Sequence, residues 1–178
     1  IIEHERTKTG VLRAVRTLAA HHLDAVVTKL QTFDLPYASF VVDTWHTLAT
    51  DDKLAPLIME MLIETLQTAR PYDEDAQRKK KPALGAMKAT CALKEFMTVD
   101  EVGGLVADNY ARLLACVLVR VGSTSDIAPS GDLDPNTDAV DALRAFVTIS
   151  KSKEIQIAMD GDDNWDKLKN AEDFTDGL

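Results

Sequence analysis

Between Pro82 and Val121 two apolar stripes of helical period meet at a corner, and that arrangement restricts the chain to helix packed on helix. Thr98-Val99-Asp100-Glu101 has the spacing of a capping box, in which Thr98 accepts from the Glu101 backbone N–H. Met97 and Val102 occupy the positions of a hydrophobic staple around it. The stripe before the corner is Ala86, Thr90, Leu93 and Met97, with Leu84, Met87 and Cys91 alongside. The stripe after it is Val102, Val106, Tyr110, Leu113, Val117 and Val121, widened by Leu114 and Leu118, with Gly122 as the residue that ends the helix. Stripes this broad predict burial between neighbours on more than one side. Gly103-Gly104 lacks the strand context of a phosphate-binding loop and reads as room for close helix packing.

The same periodicity recurs on either side of this hairpin. Helices are expected from Glu3 to Ala20 (core face Val11, Leu12, Val15, Leu18, Ala19) and over Leu23, Val26, Val27 and Leu30. Asp34-Leu35-Pro36 marks a turn, and Ala38 to Ala49 follows with Phe40, Val41, Trp45 and Leu48 as its core face. The next helix tolerates Pro56 in its first turn, carries Ile58, Met61, Leu62 and Leu66, and stops at Arg70-Pro71. Tyr72 to Lys81 reads as a charged connection, and Ser123 to Asp134 as a mobile, exposed loop. Asp134 as N-cap and Pro135 at the first helical position open another helix, with Val140, Leu143, Phe146 and Val147 as its core face. Shorter helices cover Glu154 to Met159 and Asn164 to Lys169, and the tail from Asn170 to Leu178 is expected to fray. No run alternates like a strand. The expected fold is all-α: about four antiparallel helix pairs of HEAT or armadillo type, over 3–32, 38–70, 82–122 and 135–160, with a terminal helix at 164–169.

Several of these segments resemble the maestro heat-like repeat family. They are Leu18-Ala19-Ala20-His21-His22-Leu23 with Val26-Val27 and Leu35-Pro36, Trp45 with Leu48-Ala49, and Ala89-Thr90-Cys91-Ala92-Leu93. Ala139-Val140-Asp141-Ala142-Leu143 and Asn164-Trp165-Asp166-Lys167-Leu168 complete the series, in order along nearly the whole chain. The resemblance implies an internal piece of a large cytosolic α-solenoid, with no enzymatic activity and no catalytic residues. Some members are associated with endolysosomal membranes and trafficking machinery. The Lys79-Lys80-Lys81 run lies outside the shared pattern.

Charge and side-chain chemistry narrow the function classes. A net charge of −9 argues against a general nucleic-acid surface. Cys91 and Cys116 fall on apolar helix faces and read as buried free thiols of a reducing compartment. His21-His22-x-Asp24 groups metal-ligand types, but adjacent helical histidines point about 100° apart, which favours a helix-corner role. Asp160, Asp162, Asn164 and Asp166 fall at positions 1, 3, 5 and 7 of a calcium-loop register. Trp165 stands where that loop needs glycine and Ala171 where it needs a bidentate glutamate, so an acidic helix cap is favoured. No nucleophile motif is recognised, and no cofactor or metal is expected. The expected function is a non-catalytic, cytoplasmic scaffold that binds other proteins. The alternative is a peripheral endolysosomal membrane or trafficking adaptor, using Arg78, Lys79, Lys80 and Lys81 as a loop for anionic partners.

Overall fold

The computed structural model describes residues 2–161 and 163–169, and its architecture is all-α with a HEAT-like succession of helices. In chain order these are α1 (Ile2–His21), α2 (Leu23–Thr32), α3 (Ser39–Ala49) and α4 (Ala55–Thr68). A small hairpin, β1 (Tyr72–Glu74) and β2 (Lys80–Pro82), leads into α5 (Leu84–Met97). A 3₁₀ turn (Asp100–Val102) precedes α6 (Gly103–Asp108) and α7 (Tyr110–Thr124). Then come α8 (Pro135–Ile149), α9 (Lys153–Asp160) and α10 (Asn164–Lys167). The expected tail from Asn170 onward lies outside the described residues.

α5 is the hub. It packs against α2, α3, α4 and α8, while α7 lies against α4 and α8. The reason is in its composition: Ala86, Met87, Ala89, Ala92, Leu93, Phe96 and Met97 are all essentially without exposure, and they cover most of its circumference. Ala89 and Ala92 on α5 and Ala139 and Ala142 on α8 are small enough to let two helices approach closely. The core is one continuous cluster, from Ala19 on α1 to Leu168 beyond α10. Each large side chain fully buried in it contributes about 1.5–3 kcal/mol.

α8 starts as its Asp-Pro signature predicts. The Asp134 carboxylate accepts from the Thr137 backbone N–H at 3.1 Å and from its hydroxyl at 2.8 Å. Pro135 fills the position whose N–H would have been unpaired anyway.

Several local features differ from the pattern the sequence suggests. Thr98 does not cap the following helix. Its hydroxyl donates backward to the Glu95 carbonyl at 2.6 Å, so it ends α5, and the 3₁₀ turn opens without a side-chain cap. The helix expected from Val102 to Val121 is broken at Asn109, where the axis turns by 97°. Asn109 donates from its side chain to the Leu105 carbonyl at 3.1 Å, offering the backbone a partner outside the regular ladder. α7 then runs through Gly122 to Thr124, and Leu118 on its flank is 38% exposed. The glycines give no close approach: an added Cβ would lie 3.9 Å from Ile149 at Gly103 and meet nothing within 4 Å at Gly104. On α1 the packed stripe is Leu12, Val15 and Ala19, whereas Val11 and Leu18 face outward, as does Phe40 on α3.

The connection from Tyr72 to Lys81 is also more ordered than its composition suggests. Glu74 pairs with Lys80 and Asp73 with Lys81, so the two strands match acid against base. Asp75 accepts from the backbone N–H groups of Gln77 and Lys79 and closes the turn, with Arg78 at φ 61°. The stretch from Ser123 to Asp134, expected to be a mobile and exposed loop, begins inside α7 and is then tethered by buried Ile127 and by an isolated bridge between Ser130 and Leu133.

Candidate interaction site

Three surfaces and one buried cluster hold the chemistry of this fold. The first surface is the basic hairpin. Lys80 reaches Asp126 at 2.8 Å and lies over the Tyr72 ring at 4.8 Å, which raises the lysine pKa. Entrance and exit loops of the central helices are thereby joined. Lys81 approaches Asp75 at 4.0 Å, and among the described residues Arg78 and Lys79 enter no ion pair. The structure therefore splits the expected loop: two cations are engaged, and two stand at the turn.

The second surface is an apolar groove of about 450 Å³ between α1, α2 and α3, lined by Val15, Leu18, Val26, Phe33 and Phe40. Leu18 is 52% exposed, Phe33 and Phe40 40% each. Sequence periodicity assigned Leu18 and Phe40 to the core, because a second apolar stripe on a helix cannot be distinguished from a wide first one by spacing alone.

The third surface is the largest, an open groove of about 760 Å³ where the ends of α5 and α8 meet the 3₁₀ turn. Its floor is Met97, Ala145 and Ile149. Lys94, Arg144 and Lys151 supply cations and Asp100 and Asp141 anions. It joins residues more than fifty positions apart, which no motif could have shown.

Lys94 on its wall also belongs to a partly buried cluster with Cys91, Glu95 and Asp138. The Cys91 thiol is raised by burial and by the neighbouring Asp138 carboxylate, and Cys116 is raised by burial, so both remain protonated thiols. Both are free and buried, in agreement with the periodicity. Burial works to lower Lys94, but the Glu95 and Asp138 carboxylates hold it above its ordinary value. Asp138 is raised by burial, against the opposing pull of Lys94 and Cys91. The native state thus holds the Asp138 proton to higher pH than the unfolded chain, whose carboxyl titrates near 3.8. As pH climbs through that window the unfolded state ionises first, so this group's contribution to stability falls. Asp138→Asn is expected to be more stable than the wild type at pH 7.5, with the gap closing as pH drops toward 4. Urea midpoints at the two pH values measure this, and an equal gap at both would contradict it.

One grouping has the composition of a hydrolase triad but not its geometry. His46 Nε2 lies 3.1 Å from Thr98 Oγ1 and 3.4 Å from Glu95 Oε2. A relay needs hydroxyl and carboxylate on different ring nitrogens. Here one nitrogen serves both, and the Thr98 proton is already given to the Glu95 carbonyl.

The metal-like spacings also disperse. His22 is the single residue between α1 and α2. Asp160 accepts from Trp165 Nε1 at 2.9 Å, while Asn164 donates to the Ala158 carbonyl at 2.7 Å and accepts from Lys167 at 3.2 Å. Asp162 and Ala171 of that register lie outside the described residues. Among the described residues no three ligand-type side chains converge on one point. Nor is any single helix among them long and apolar enough to cross a membrane. The bent unit of the 3₁₀ turn, α6 and α7 has the length and composition, but Val106, Leu113, Val117 and Val121 are buried in the core.

Comparison with known proteins agrees with this picture. The model of the family described as Maestro, HEAT repeats matches residues 1–59. The maestro heat-like repeat-containing protein family member 1 of Mus musculus is 28% identical over 99% of the chain, and that of Homo sapiens 27% identical over 97%. The Dictyostelium discoideum protein of that name is 29% identical over 72% of the chain. The chain thus resembles the maestro heat-like repeat family along nearly its whole length. It spans 12% of the length of the mouse and human proteins and 8% of the Dictyostelium one. No solved structure matches it. The family match ends within α4, so the hairpin, the α5 hub and the large groove all lie beyond the matched repeats.

Proposed function

We propose that this segment is a protein-interaction scaffold that performs no chemistry on a substrate. The observation that carries this reading is the large groove at the ends of α5 and α8. It is open, apolar at its floor and charged at its rim, the pattern of a surface built to take part of another protein. HEAT-repeat kinship supports the same reading, since stacked helix pairs offer extended binding surfaces. Filling the groove tests it. Ala145→Arg, verified as folded by circular dichroism, is expected to lose a set of partners that the wild-type chain captures from cell extract. Identical partner sets would overturn the reading.

A second reading rests on the hairpin, where Arg78 and Lys79 stand at the turn outside any ion pair among the described residues. There the segment would meet anionic headgroups on the cytoplasmic face of an endolysosomal membrane. Flotation with phosphoinositide vesicles tests this second reading, and unchanged association after Arg78→Glu with Lys79→Glu would sink it.

A further inference from the structure

We propose that the groove between α5 and α8 takes an extended peptide bearing acidic side chains, recognised by Arg144 and Lys151; this rests on the scaffold reading and names its partner. Arg144 lies over the face of Trp165, 4.8 Å from the ring centre. Trp165 is itself buried and fixed by its bond to Asp160. The guanidinium is thus oriented by a π-face, which leaves its charge unneutralised, and among the described residues it enters no ion pair. A guanidinium that makes a cation–π contact and enters no ion pair among the described residues can take a carboxylate through two parallel hydrogen bonds.

Lys151 makes the second argument. It follows the C-cap Ser150 of α8 at φ 53°, the position where helices ordinarily place glycine. Complementing the negative end of a helix returns less than an L residue loses in the left-handed region. Helix termination alone therefore favours glycine here, yet the chain carries a lysine on the groove wall.

The charges nearby are largely spoken for. Asp141 pairs with Lys169 at 3.5 Å, and Glu95 sits beside Lys94 at 3.4 Å and His46 at 3.4 Å. Arg144 and Lys151 remain against one unpaired carboxylate on the wall, Asp100. In a chain of net charge −9 this is a local excess of positive charge above an apolar floor. A peptide in extended form points its side chains alternately to opposite sides, so apolar residues can rest on Met97 and Ile149 while acidic ones meet the rim.

The test is to pan a random twelve-residue peptide display library against the 178-residue chain and to measure the enriched peptides by fluorescence anisotropy. Enriched peptides are expected to carry two or more Asp or Glu residues among apolar ones. Arg144→Glu should weaken them by about 30-fold or more, and Arg144→Lys by a smaller factor, since charge is kept and the planar fork lost. Lys151→Gly should raise the thermal midpoint while weakening the peptide, a divergence that a structural role alone would not produce. Charge reversal at Arg78 and Lys79 should leave affinity unchanged. Enrichment of basic or purely apolar peptides, or acidic peptides indifferent to Arg144→Glu, would overturn the proposal while leaving the scaffold reading standing. Failure to enrich any peptide would overturn it too, with the scaffold reading still judged by partner capture.

Discussion

Phe96→Ala is expected to destabilise the chain by about 3–5 kcal/mol, on the order of the total stability of many single domains. Phe96 is fully buried on α5, the helix that touches α2, α3, α4 and α8, so the cavity would open where most elements converge. Phe40→Ala is the control. That ring is 40% exposed at the apolar groove, and removing it should cost well under half as much. Urea denaturation followed by circular dichroism gives both values. Similar losses at the two positions would show that α5 is not the hub.

Arg120 offers the second large effect, with a wide gap between two substitutions. It is 2% exposed on α7 and donates from Nη1 to the Pro71 carbonyl, while its Nε has no partner. No carboxylate among the described residues lies within ion-pair distance, and burial pulls its pKa down from the usual arginine value. A buried charge without a counter-ion costs more than it contributes, so Arg120→Met should fall within about 1 kcal/mol of the wild type or above it. Arg120→Glu keeps a buried charge and loses the donor, and about 3–5 kcal/mol should go with it. The bond to Pro71 sits immediately before β1, so Arg120→Met should also speed amide exchange across residues 72–82 with little change in the thermal midpoint. Protection unchanged in the hairpin would mean that Arg120 does not anchor it.

How much of this was legible follows from where the information lies. Asp134-Pro135 carries its whole cap within four residues and reads correctly. Thr98 misleads because its hydroxyl has two further partners, the Glu95 carbonyl behind it and His46 from a helix fifty-two positions earlier. The break at Asn109 had a local signal in Gly103, Gly104 and Asn109, all weak helix formers, but the apolar stripe running past them outweighed it. The hairpin hid for a different reason. Its strands are held by Glu74 opposite Lys80 and Asp73 opposite Lys81, so the apolar alternation that marks a strand is missing. Its turn carries Arg78 where glycine would have announced it. The four basic residues were visible as a cluster, but their division into engaged and free members depends on Asp126, which only the fold brings near. The large groove was out of reach altogether, because Met97, Gly103 and Ile149 share no local pattern.

Amide hydrogen exchange of the chain, alone and with a captured partner bound, distinguishes the α5–α8 groove from the other surfaces. Exchange is expected to be slowest in α5 and α8 of the free chain, with new protection on binding at the end of α5, the 3₁₀ turn and the end of α8. Protection confined to α1 and α2 or to the hairpin, with the α5–α8 groove unchanged, would contradict it.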